Sequence, residues 1–104
     1  MFKIENMYHI KPSGQYKADV KLCAKRRFDL SLMASALLKL QETGTLPLDE
    51  YGTHKLKGQK QETWDAHLEP DWILLFRKYE SDDEEFEGIV VLVRTGTHSD
   101  LFKK

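Results

Sequence analysis

Between Gly44 and Trp64 the hydrophobic pattern changes period, and this restricts the fold more than any other feature of the sequence. Before it, apolar residues recur at helical spacing. Tyr16, Val20 and Cys23 share one helix face, and Leu30, Met33, Leu37 and Leu40 form a second stripe widened by Leu32 and Ala36. After it, Trp64, Ala66 and Leu68 alternate with Asp65, His67 and Glu69, as in a half-buried strand. Two near-continuous apolar runs follow, WILLFRKY and IVVLVRT, which suit strands buried on both faces.

Punctuation residues set the boundaries. A first strand over Tyr8–Lys11 stops at Pro12, and Ser13 and Gly14 open a helix. Asp29 suits the N-cap of a second helix and Gly44 its end. Residues 45–53, with Pro47 and Gly52, read as a loop, and Glu69-Pro70-Asp71-Trp72 as a turn. The order is β-α-α followed by three or four antiparallel strands. This predicts an α+β fold in which two helices pack on one face of a curved antiparallel sheet and leave the other face open. The 104 residues make one domain, 1–104.

Composition narrows the setting. A single cysteine, Cys23, excludes an internal disulfide and suits a reducing compartment; on its helix stripe it reads as core. MFKIENMYHIK lacks the apolar stretch of a secretion signal, and no run is long enough to span a membrane, so a cytoplasmic protein without membrane contact is expected. The net charge is −1, but six acids crowd residues 80–87, and the rest of the chain carries 16 basic against 11 acidic residues. The acidic stretch is expected to be a solvated hairpin tip. The moderately basic body suits a phosphate-rich partner, with Lys17, Lys21, Lys25, Arg26 and Arg27 concentrated on the first helix.

Three of the four histidines lie in the β-patterned half, near carboxylates: His54 in HKLKG, His67 in WDAHLEPDW with Asp65 and Asp71, and His98 in RTGTHSDLF. Histidine titrates near neutral pH, so such a set suits proton transfer if the fold gathers it. Asp65 and His67, two apart in a strand, point to the same face, opposite Trp64 and Ala66. Asp71 is equally a turn cap or a site residue. His54 alone would be a surface residue, His98 follows Gly96 at a strand end, and Phe102 either packs or offers a stacking surface. His9 is assigned no role. There is no HExxH, CxxC, P-loop or dinucleotide fingerprint, so neither metal nor cofactor is expected.

Taken in succession, HKLKG, WDAHLEPDWILLF and VLVRTGTHSDLF resemble the YafQ-type toxins of the RelE/ParE superfamily, the toxin halves of bacterial type II toxin–antitoxin pairs. The likeness covers most of the chain. It implies a RelE-like fold and an mRNA endonuclease acting on message in the ribosomal A site. It also implies a neutralising antitoxin that supplies any contact with operator DNA. By resemblance the catalytic positions are His54, His67, Asp71 and His98, supported by Asp65 and Phe102. Such cleavage needs a base for the ribose 2′-OH, an acid for the leaving 5′-oxygen and donors for the charged phosphorane. Lys55, Lys57, Arg77 and Arg94 are candidates for RNA contacts, the two arginines being equally suited to a structural role. The acidic 80–88 stretch is longer than expected of the family. The alternatives are a gyrase-inhibiting toxin on the same fold and an inactive homologue that only binds its antitoxin.

Overall fold

The computed structural model describes residues 7–102. In chain order the elements are β1 (Met7–Pro12), α1 (Gly14–Lys25), α2 (Leu30–Thr43), α3 (Leu48–Tyr51), β2 (His54–Lys55), β3 (Trp64–Glu69), β4 (Trp72–Glu80), β5 (Phe86–Gly96) and α4 (His98–Leu101). The five strands form one sheet in the order β1-β5-β4-β3-β2. Strands β2 to β5 are antiparallel, whereas β1 runs parallel to β5, so the sheet is mixed. The crossover through α1 and α2 returns the chain to the sheet far from β1, and a parallel pair requires such a long connection.

The helices cover one face. Tyr16 and Cys23 of α1, and Met33, Ala36 and Leu40 of α2, pack on Ala66, Trp72, Leu74, Phe76, Val90 and Leu92. Those sheet residues alternate along their strands, as one face of a pleat requires. Ser13 caps α1 through its side chain and Asp29 caps α2, as the sequence suggests. Leu30 falls outside the buried stripe of α2, which centres on Ala36 instead. The segment read as a loop at 45–53 contains the single turn α3, closed by Gly52 in the left-handed region.

Helix α1 ends in a Schellman turn. The Phe28 N–H donates to Cys23 O and the Arg27 N–H to Ala24 O, with Arg27 itself at φ 64°. Phe28 then packs edge-on against Trp72. Burial pushes the Cys23 thiol up, in keeping with a core role. Among the described residues no helix is long and apolar enough to cross a membrane.

Candidate active site

The β3–β4 hairpin, the start of β2 and the end of β5 deliver the site. Register sets Asp65 opposite Leu75 and His67 opposite Ile73. These four side chains therefore share the sheet face away from the core cluster, and buried Ile73 and Leu75 form an apolar floor. Strand β2 places His54 opposite Asp65. A register irregularity between His67 and Glu69 bends β3 beside the site.

The three imidazoles stand in a row. Ring centroids are 6.3 Å apart for His54 and His67 and 5.6 Å for His67 and His98, and Phe102 continues the row 6.2 Å beyond His98. Asp65, although on the open face as the alternation predicts, is only 4% exposed. Its carboxylate lies 3.3 Å from His67 Nε2 and 3.9 Å from His54 Nε2. Thr53 Oγ1, Asp65 Oδ1 and His67 Nε2 are buried here with no hydrogen-bond partner among the described residues. Burying such a group unsatisfied costs about 1–3 kcal/mol, and here Asp65 Oδ1 and His67 Nε2 face each other at 3.3 Å.

Two histidines are fixed through Nδ1. That of His98 lies 2.6 Å from Asp71 Oδ1, which also accepts from the His98 backbone N–H at 2.9 Å. Both acceptor bonds hold the Asp71 carboxyl below the ordinary carboxylate value, the backbone bond foremost. The Nδ1 of His54 lies 3.0 Å from Gly52 O, an atom that can only accept. Both rings therefore carry a proton on Nδ1, and Nε2 is left for other chemistry. An open cavity of about 320 Å³ beside His67 is bounded by Glu50, Tyr51, Gly52, Leu68, Glu69 and Pro70.

The basic candidates fare differently. Lys57 is exposed. Lys55 is exposed but paired with Glu62 at 2.9 Å and placed over the Trp64 ring. Arg77 donates to Thr63 Oγ1 and Gln61 Oε1, pinning the segment before β3. Arg94 forks onto Asp19 at 3.0 and 2.9 Å. The fold thus takes up both arginines internally.

Asp19, Thr95 and Asp100, none of them a candidate from the sequence, carry structure around the site, as does Arg26, which the sequence places only among the basic residues of the first helix. Asp19 accepts from Arg94, Gln15 and the Thr95 N–H. Burial opposes its ionisation, yet these donors hold its carboxyl below the ordinary value. Thr95 in turn accepts from Trp72 Nε1 and donates to Ile73 O. Among the described residues, no three His, Cys, Asp or Glu side chains are grouped to hold a metal ion.

A mixed five-stranded sheet with two helices packed on one face is the architecture of small toxins of RelE-like fold, and known proteins of this kind are similar to the chain along most of its length. Residues 8–103 match the model of a family described as the bacterial toxin of type II toxin–antitoxin systems, YafQ. The mRNA interferase toxin YafQ of Escherichia coli K12 is 40% identical over 94 residues, which cover 89% of this chain and 94% of that one. YafQ in the E. coli DinJ–YafQ toxin–antitoxin complex superposes with a TM-score of 0.72 at 41% identity, covering 91% of this chain and 97% of that one. A metal-bound toxin from Helicobacter pylori superposes at 0.74 with 31% identity, covering 92% and 100%. The chain belongs to the YafQ family of type II toxin–antitoxin toxins.

Proposed function

We propose that this toxin is an mRNA endonuclease that cleaves message in the ribosomal A site by acid/base catalysis without a metal. The observation that carries the reading is the row His54–His67–His98–Phe102, with the Nδ1 atoms of both outer histidines already committed. In-line attack by a 2′-OH places the entering and leaving oxygens on opposite sides of the phosphorus. Two proton-transfer groups separated by a third ring suit that demand. His54 and His98 act through Nε2 on the two oxygens, and His67 between them donates to the phosphorane. Asp71 orients His98, since a carboxyl held low is a poor base and a good anchor. Asp65, buried beneath the row, orients His67, whose Nε2 lies 3.3 Å from its carboxylate. Phe102, 40% exposed, stacks on a base next to the scissile bond. Lys57 and Lys55 contact phosphate.

The relatives support the biological setting. The curated E. coli protein is named an mRNA interferase, and YafQ has been solved in complex with DinJ. A cognate antitoxin is accordingly the partner proposed here, with operator DNA reached only through that complex. A gyrase-inhibiting role has no use for three aligned imidazoles, and an inactive homologue has no reason to keep them.

Single His→Ala exchanges at 54, 67 and 98 test the reading. Cleavage of message on programmed ribosomes should fall by about 10²–10⁴-fold for each exchange that removes an acid or base. Wild-type cleavage by all three folded variants would sink it.

A further inference from the structure

His98 sits on a helix of four residues, too short to hold its own shape in water. Its place is set by what fastens it. Asp71 holds the His98 backbone from one side. On the other, Asp100 completes a capping box: its Oδ2 accepts from the Thr97 N–H at 2.9 Å, and its own N–H donates to Thr97 Oγ1. That same carboxylate is forked by Arg26 at 2.6 and 3.2 Å. Arg26 is the C-cap residue of α1, set in the Schellman turn. A Cβ at Gly96 would come within 2.9 Å of Asp100 Oδ2, so the carboxylate lies against the end of β5 as well. Helix α1 is fastened to that strand a second time, where Asp19 receives Arg94 and the Thr95 N–H.

Resting on the reading of His98 as a proton-transfer group, we propose that Arg26 and Asp100 are positioning residues for RNA cleavage. Their bidentate pair braces α4 against α1, so that His98 Nε2 and the Phe102 ring stand where the scissile phosphate and its base require them. Exposed ion pairs add little to stability in general, but a two-pronged guanidinium–carboxylate contact fixes direction as well as distance. An arginine at the end of the basic helix would otherwise be taken for one more phosphate contact. Its commitment to Asp100 separates it from exposed Lys17, Lys21 and Lys25.

The test measures kcat and KM for message cleavage separately in Arg26→Gln, Arg26→Lys, Asp100→Asn and the double variant Arg26→Gln/Asp100→Asn. Ring resonances of His54, His67 and His98 are followed by NMR in each. The brace predicts that kcat falls about ten- to a hundredfold in Arg26→Gln with KM unchanged. The double variant should be no worse than Asp100→Asn alone, because the two act as a unit. Arg26→Lys should recover part of the rate, since it keeps the charge but not the fork. The His98 signals should move while those of His54 stay. Wild-type kcat in folded Arg26→Gln, where His98→Ala is inactive, overturns the proposal and leaves the role of His98 standing. A raised KM at unchanged kcat also overturns it, by making Arg26 an RNA contact. Wild-type cleavage by His98→Ala removes both. Should Arg26→Gln not fold, Asp100→Asn carries the same readings.

Discussion

A single oxygen of Asp71, Oδ1, accepts both the backbone N–H and the Nδ1–H of His98, at 2.9 and 2.6 Å. One carboxylate thus fixes where the His98 backbone lies and which ring nitrogen faces the substrate. Asp71→Asn keeps an acceptor but loses the charge that favours the proton on Nδ1. Cleavage should fall about ten- to a hundredfold with the fold intact, read as kcat on programmed ribosomes beside a thermal unfolding curve. Unchanged kcat would remove Asp71 from the site.

Stability should decline in acid. The carboxyls of Asp19, Asp71 and Asp100 are all held below their ordinary value. In Asp100 the Arg26 guanidinium is the main cause. A carboxyl depressed on folding contributes its full stability above the unfolded value of about 4, and that contribution is lost as pH falls through the folded value. The melting temperature should therefore be flat near neutrality and drop below about pH 4. Asp19→Asn should flatten the acid limb while lowering the plateau; an unaltered limb would show that the Asp19–Arg94 pair contributes nothing.

Gly44→Ala should be costly. Gly44 ends α2 at φ 76°, and a Cβ there would come within 2.5 Å of the Tyr8 ring. The left-handed conformation alone costs a non-glycine residue about 1–2 kcal/mol, and displacing Tyr8 adds to it. A loss of about 2 kcal/mol or more in urea unfolding is expected. A loss below about 0.5 kcal/mol would mean that the turn relaxes freely.

Arg27→Gly should do the opposite. Arg27 holds the left-handed position of the Schellman turn, at φ 64°, where glycine is the usual occupant. Glycine would adopt it without steric cost, and the N–H bond to Ala24 O survives the change. A gain of about 0.5–1 kcal/mol in chemical denaturation is expected. A loss would show that the guanidinium has a stabilising partner in solution.

Local pattern carried much of this architecture, and failed where geometry depends on distant partners. Alternation located Asp65 and His67 on one face, and Asp29 and Gly44 bounded α2. The parallel pairing of β1 with β5 has no local signature, because it depends on where a two-helix crossover returns the chain. The convergence of His54 and His98 on His67 came from family likeness, not from spacing. Other signals lie in the sequence itself. Asp19 lies three residues after Tyr16 and four before Cys23, so it is a charge on an apolar stripe, and such a charge needs a buried partner. Thr97 and Asp100 have capping-box spacing, which announces α4. For Arg94 and Arg77 the sequence leaves RNA contact and a structural role open, because their acceptors lie 75 and 14 residues away.

The β1–β5 pairing also governs when, during synthesis, the sheet can close. The first strand finds its neighbour only in residues 86–92, and His98 and Asp100 come later still. Long-range pairing of this sort cannot form early during synthesis. The sheet that carries the three histidines therefore closes only after residues 86–92 have been made. A partner that binds residues made earlier would meet the chain before this sheet is complete.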